Sequence, residues 1–201
     1  MPDTPLYVSD PEKWIHQIGH DHDVLCLVIF RGAWCSFDKH YLELLGPTKP
    51  EGCYMVAWTS QGEDAAKEAQ EQWNIKDFDL VIGDKTAALA KYLVDDVILP
   101  KLDVNPPRMA VKSTYNLGDD DYPEGLVQPG MAIFAHKGNL CMQWEAEVNE
   151  ANLYGAANRP DPKALWAEVA HRRTALDQGS SVMPIHGSRL KMCTKCDDIG
   201  K

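Results

Sequence analysis

The stretch Val24-Leu25-Cys26-Leu27-Val28-Ile29-Phe30-Arg31-Gly32-Ala33-Trp34-Cys35-Ser36-Phe37-Asp38-Lys39-His40-Tyr41-Leu42-Glu43-Leu44-Leu45 decides how this chain folds. Seven consecutive apolar residues, Val24 to Phe30, suit a central strand covered on both faces. Phe37, Tyr41, Leu44 and Leu45 then follow a helical stripe, with Ser36 available as a cap-like residue and Gly46-Pro47 stopping the run. Gly32 and Ala33 are small enough for the tight bend between strand and helix. Cys35 therefore stands at a helix N-terminus, where unpaired N–H groups and the positive end of the macrodipole favour a thiolate. Arg31 adds a cation that keeps its charge near neutral pH. The plainer reading of such a cysteine is a small buried hydrophobe.

A chain of 201 residues with 44% hydrophobic content can bury a full core. The formal charge of −10 repels nucleic acid and anionic membranes at long range, so neither is expected as a partner. Met1-Pro2-Asp3-Thr4-Pro5 has neither the charged nor the apolar region of an export signal, and no stretch reaches a membrane span. The expected location is cytoplasmic. Six cysteines at scattered spacings then read as individual thiols instead of a disulfide framework.

Elements alternate outward from the opening stretch. Asp10-Pro11 starts a short helix carrying Trp14, Ile15 and Ile18, with Gly19 as its end. Cys53 to Trp58 and Phe78 to Ile82 read as strands, and Gln61 to Trp73 and Thr86 to Val94 as helices, which predicts a parallel β-α-β-α unit. Ile98 to Gln128 is a long irregular stretch. Gly130 to His136 and Leu140 to Glu145 form a hairpin through Lys137-Gly138-Asn139, and a last helix runs from Asp161-Pro162 to Leu176. Cys26, Cys53 and the tryptophans Trp14, Trp58, Trp73, Trp144 and Trp166 are expected in the core. Trp34 is expected half exposed as a wall of a substrate pocket. His16, His20 and His22 read as surface histidines.

On these residues the chain resembles the thioredoxin-fold superfamily, and within it the peroxiredoxin-like proteins related to alkyl hydroperoxide reductase and thiol-specific antioxidant. Members typically carry Phe-Tyr-Arg-Gly-x-Trp-Cys-Pro-x-Cys, where this chain has Ile29-Phe30-Arg31-Gly32-Ala33-Trp34-Cys35-Ser36-Phe37-Asp38. The match continues through the helix after Ser60, Asp84 to Ala90, Gln128-Pro129, and Asn158-Arg159-Pro160-Asp161-Pro162, and spans the chain from about Asp10 to Ala175. It implies an α/β thioredoxin-like fold: a central mixed sheet, parallel βαβ first half, antiparallel hairpin second half, and helices on both faces. Residues 1–178 would form this domain and 179–201 a tail. The resemblance also implies Cys35 as nucleophile, Arg31 as its electrostatic partner, and a cis-proline at Pro129 beside Cys35, with Gln128 and Trp34 shaping the pocket.

Two positions depart from the pattern. Asp38 replaces the second cysteine of Cys-x-x-Cys, so that site closes no disulfide; the carboxylate either relays a proton or is a first-turn acid that stabilises the helix. Gly32 stands where typical peroxiredoxins place the threonine that orients the peroxide. Regeneration of an oxidised Cys35 needs a second thiol. Cys193 and Cys196 of Cys193-Thr194-Lys195-Cys196 are the resolving candidates, reached through the flexible-looking Gln178-Gly179-Ser180-Ser181. The same pair is half of a zinc knuckle, for which His186 and Cys141 would have to add ligands, and plain terminal disorder is a third reading. Redox is preferred to metal, so no metal and no cofactor is expected. The sequence thus points to an antioxidant thiol peroxidase or thiol-disulfide oxidoreductase acting on a hydroperoxide or small disulfide, with thioredoxin or glutathione as the kind of reductant and a homodimer as a possible assembly. The alternatives are a redox-inactive binding protein on the same fold and an enzyme using the thiol for transfer or isomerisation.

Overall fold

Alternation along β1 (Val24–Ile29) builds two cores at once. Val24, Cys26 and Val28, followed by Phe30, belong to one apolar cluster, and Leu25, Leu27 and Ile29 belong to the other. Each fully buried Val, Leu or Ile contributes about 1.5–3 kcal/mol, so this strand anchors both faces of the sheet. The computed structural model describes residues 4–96, 98–100, 102, 117–135, 138–148, 157–178 and 191–193.

Around β1 the sheet runs in the order β3-β2-β1-β4-β5, with β2 at Cys53–Thr59, β3 at Leu80–Gly83, β4 at Gly130–Ala135 and β5 at Asn139–Glu145. The β1–β2 and β2–β3 pairs are parallel, and the β1–β4 and β4–β5 pairs antiparallel. This is the mixed sheet expected from the sequence. Gly138 takes a φ of +91° in the hairpin turn, and a β-carbon there would press on His16.

Helices cover both faces. α3 (Ser36–Leu45), α4 (Glu63–Gln72) and α6 (Pro162–Asp177) send Tyr41, Leu42, Leu45, Ala69, Leu165 and Trp166 into the first core. α2 (Pro11–Asp21) and α5 (Ala88–Asp95) send Trp14, Ile15, Leu89 and Leu93 into the second, and a short α1 (Leu6–Ser9) precedes them. α2 and α6 begin alike: Asp10 and Asp161 accept the Lys13 and Ala164 amides at 3.0 Å, and a proline follows each at the first helical position. Gly19 does not end α2 as expected. The helix continues to Asp21 and closes with the His22 amide on the Ile18 carbonyl at 3.0 Å, because one glycine costs only about 1 kcal/mol in a helix. The tryptophans assigned to the core are buried, as are Cys26 and Cys53. No helix among the described residues is long and apolar enough to cross a membrane.

Register sets where chemistry can happen. Ile29 lies opposite Trp58 of β2 and Gly130 of β4, so the loop leaving β1 and the Gln128-Pro129 segment entering β4 meet at one end of the sheet. That end carries the C-termini of the parallel strands, where open α/β sheets place their ligands.

Candidate active site

Arg31 to Trp34 form the loop between β1 and α3, and Cys35 is the N-cap of α3. Ser36, the expected cap, is already the first helical residue, because the bend is completed one position earlier by the Cys35 amide bonding the Gly32 carbonyl at 3.0 Å. The loop is clamped from outside. The Arg31 carbonyl accepts from the Tyr122 hydroxyl at 2.7 Å and the Thr59 hydroxyl at 3.1 Å, and the Ala33 amide donates to Gln61 Oε1 at 3.0 Å. Trp34, half-buried as expected, donates its Nε1–H to the Tyr122 oxygen at 2.7 Å, and the Arg31 guanidinium lies 5.2 Å from its ring centroid. Gly32 leaves room for three side chains that close on the loop. A β-carbon at this position would collide with Gln61 Oε1, Tyr122 Oη and Trp34 Nε1.

Arg31 Nη2 donates to Cys35 Sγ at 3.0 Å. Cys35 is 1% exposed. Burial pushes the thiol up to about 11, and the Asp38 carboxylate pushes the same way; the Arg31 guanidinium, the Asp38 backbone N–H and the Arg159 guanidinium pull down. The helix N-terminus thus acts as the sequence suggests, but it is outweighed. Desolvation disfavours the charged form of any acid, and here it works against the thiolate that the local reading favours.

Asp38, 2% exposed, is the centre of a buried ion cluster. Its carboxylate accepts the Arg31 amide at 2.8 Å and Arg159 Nη2 at 2.6 Å, and lies 3.7 Å from Arg31 Nε. Burial works to raise its carboxyl, yet Arg159, Arg31 and the Arg31 amide hold it below the usual carboxylate range. An acid held ionised can accept a proton but holds none to give at neutral pH, and its two arginine contacts reach beyond its own helix. Both guanidiniums favour the thiolate, and the carboxylate between them opposes it.

Arg159 is the member that sequence reasoning missed. It was visible only within Asn158-Arg159-Pro160, and its contact with Asp38 spans 121 positions. Its guanidinium also lies 5.4 Å from the Trp144 ring centroid. Tyr122, Thr59 and Gln61 were missed too, since nothing in a lone Tyr, Thr or Gln marks it as a loop clamp.

Pro129 lines a narrow crevice with Asp38, Tyr41, Trp144 and Arg159, too tight for a water molecule, and Cys35 is not part of that lining. The Gln128–Pro129 peptide is trans, contrary to the expected cis bond; trans is the lower-energy form of X–Pro by about 0.5–1 kcal/mol. Gln128 is buried, and its Oε1 has no hydrogen-bond partner. Cys193 is not on a loose tail: it is 2% exposed in the first core, and its amide donates to the Arg159 carbonyl at 2.7 Å. The cysteines at 26, 35, 53, 141 and 193 are free thiols. Cys196, His186 and Gly179-Ser180-Ser181 lie outside the described residues, and no group of three metal-binding side chains occurs among those described. His20 and His16 are exposed, and His22 stacks on Tyr54 at 4.6 Å.

No protein-family model and no curated protein sequence matches the chain. Solved structures do. The AhpC of Enterococcus faecalis superposes with a TM-score of 0.54 at 11% identity, covering 81% of this chain and 81% of its own. A cysteine-to-serine mutant of peroxiredoxin 6 of Arenicola marina gives 0.46 at 15%, covering 77% of this chain and 61% of its own. The bacterioferritin comigratory protein of Xanthomonas campestris gives 0.42 at 10%, covering 81% and 82%. The AhpC superposition shows the fold, a thioredoxin-like α/β architecture shared with that protein. At such identity the chemistry has to be argued from side chains.

Proposed function

We propose that the chain is a peroxiredoxin-like thiol oxidoreductase in which Cys35 attacks a hydroperoxide or a small disulfide. The observation that carries this reading is Arg31 Nη2 on Cys35 Sγ at 3.0 Å, inside a buried cluster that joins Arg31, Asp38 and Arg159. A polar substrate in hydrogen-bond contact with the sulfur offsets part of the burial that opposes the thiolate, and the two guanidiniums favour the charged form. With a hydroperoxide, the thiolate forms an S–O bond as the O–O bond breaks; the alcohol leaves with the proton that the thiol gave up, and Cys35 becomes a sulfenic acid. Arg31, which already donates to the sulfur, donates to the departing oxygen. A second thiol then attacks the sulfenic sulfur, forming a disulfide and releasing water. With a disulfide substrate, the first step yields a mixed disulfide and a thiolate leaving group. The second thiol is Cys193, Cys196, or that of a small or protein reductant such as glutathione or thioredoxin; Cys193 can act only after leaving its place in the core. The expected setting is the cytoplasm.

A second reading, a redox-silent binding protein on this fold, draws on the 1% exposure of Cys35 and its raised pKa. One experiment separates the two. Purified protein is exposed to hydrogen peroxide in the presence of a dimedone-type probe, and the adducts are mapped by mass spectrometry. Labelling at Cys35 that vanishes in Cys35→Ser supports the oxidoreductase. Folded protein that takes no label at Cys35 supports the silent protein.

A further inference from the structure

Residues Lys191–Cys193 cross the segment that carries Arg159. The Asp161 amide donates to the Lys191 carbonyl at 2.8 Å, the Cys193 amide donates to the Arg159 carbonyl at 2.7 Å, and Pro160 and Met192 form an antiparallel bridge between these two bonds. Cys193 fills a place in the same core as Trp144, on whose ring Arg159 rests. The short strand is thus fixed at both its backbone and its buried side chain.

From Arg159 the contacts run inward without a gap. Its backbone is held by the strand, its Nη2 holds Asp38, Asp38 holds the Arg31 amide and faces Arg31 Nε, and Arg31 Nη2 holds the Cys35 sulfur. We propose that Lys191–Cys193 is a strap that keeps Cys35 reactive, with Arg159 as a positioning residue acting through Asp38. With the strap in place, Asp38 is shared between two arginines, and Arg31 can spend one nitrogen on the sulfur. With the strap gone, Arg159 loses the backbone bond and the bridge that fix its segment, its hold on Asp38 loosens, and Asp38 leans more on Arg31. Arg31 then turns from the sulfur to the carboxylate. The carboxylate still faces Cys35 and now opposes ionisation with less cationic charge beside it. The groups around the sulfur are Arg31 from the loop, Asp38 from α3, Arg159 from the segment before α6, and the Tyr122 hydroxyl across the loop, which keeps its proton.

The inference rests on Cys35 being the reacting group, and its test does not need turnover. Iodoacetamide labelling of Cys35 is followed from pH 7 to 11 by peptide mass spectrometry. Cys193→Pro removes the amide donor to Arg159, and Cys193→Ala loses the same sulfur but keeps the amide. Relative to Cys193→Ala, Cys193→Pro is expected to raise the apparent pKa of Cys35 alkylation by about one unit and to slow labelling several-fold at pH 8. Arg159→Gln is expected to do the same, Arg159→Lys to restore part of it, and Cys193→Pro to add nothing on top of Arg159→Gln, because both cut one path. Coincident pH profiles for Cys193→Pro and Cys193→Ala overturn the strap, as does full additivity. Should Cys193→Pro fail to fold, the reverse measurement decides. Coupling is reciprocal, so folded Arg159→Gln must expose Cys193 to a thiol reagent faster than the parent, and an unchanged rate refutes the inference. Loss of peroxide labelling with an intact strap effect would instead sink the oxidoreductase reading alone.

Discussion

Replacing Asp38 by Asn tests the electrostatics of the site most directly. The substitution keeps the shape, and Asn Oδ1 can still accept the Arg31 amide, but the negative charge shared by Arg31 and Arg159 is gone. The two guanidiniums then act on the Cys35 sulfur without the opposing Asp38 charge. A charge within 4–6 Å moves an acid by about 1–3 units, and Asp38 is one of the two influences raising this thiol. Its removal is expected to bring the apparent pKa down by about one to two units. The thiolate fraction at pH 7 rises about 10- to 100-fold, but a less basic thiolate is a weaker nucleophile, with a Brønsted slope near 0.4–0.5. The net gain is roughly 3- to 15-fold in alkylation rate at pH 7. The same change removes the Asp38 charge from Arg159, and breaking a buried pair costs about 3–5 kcal/mol. Rate by iodoacetamide labelling and stability by thermal unfolding should therefore move in opposite directions. A folded Asp38→Asn protein that is alkylated no faster than the parent at pH 7 would show that Asp38 does not oppose the thiolate.

Arg31→Met removes the donor on the sulfur and is expected to raise the alkylation pKa by about one unit and abolish dimedone labelling after peroxide; Arg31→Lys restores little, because an ammonium lacks the planar fork that serves sulfur and carboxylate together. Tyr122→Phe deletes the hydroxyl shared by Trp34 and the Arg31 carbonyl and should cost about 1–3 kcal/mol in denaturant unfolding; no measurable loss refutes the clamp. The depressed Asp38 carboxyl contributes stability that is present above the ordinary carboxylate value near 3.8 and is lost as pH falls through its lower folded value. Stability titrated down from pH 4 should thus fall more steeply in the parent than in Asp38→Asn. At the other end, Cys35 is raised from 9.0 to about 11 and Cys53 to about 12, so the unfolded chain loses these protons first and stability should fall from about pH 9 upward. Cys53→Ala should flatten that alkaline limb.

What the sequence discloses is the part of the structure that local pattern controls. The apolar run of β1, the helical stripe of α3 and the glycine of the hairpin turn each act within a few residues, and all three elements appear where that pattern places them. The end of α2 was misplaced for the converse reason: Gly19 is a weak local signal, and a closed last turn overrides it. At the site, Cys35, Arg31, Asp38 and Trp34 are close in sequence and close in space. Arg159 and Tyr122 reach them across 121 and 91 positions, and no spacing rule connects such partners. The charge state of Cys35 is a property of the same kind. A helix N-terminus is visible in sequence, whereas desolvation depends on everything that packs around the sulfur.

The crowding at Gly32 limits how this loop can be re-engineered. Installing a threonine there would seem the direct way to give the site a hydroxyl, yet three polar atoms already fill the volume its β-carbon needs. Tyr122 and Gln61 would have to be trimmed in the same design, and the bonds they make to Arg31 and Ala33 replaced from elsewhere. A library randomised at position 32 alone should return glycine, and only joint variation at 32, 61 and 122 opens the route to a different oxygen donor.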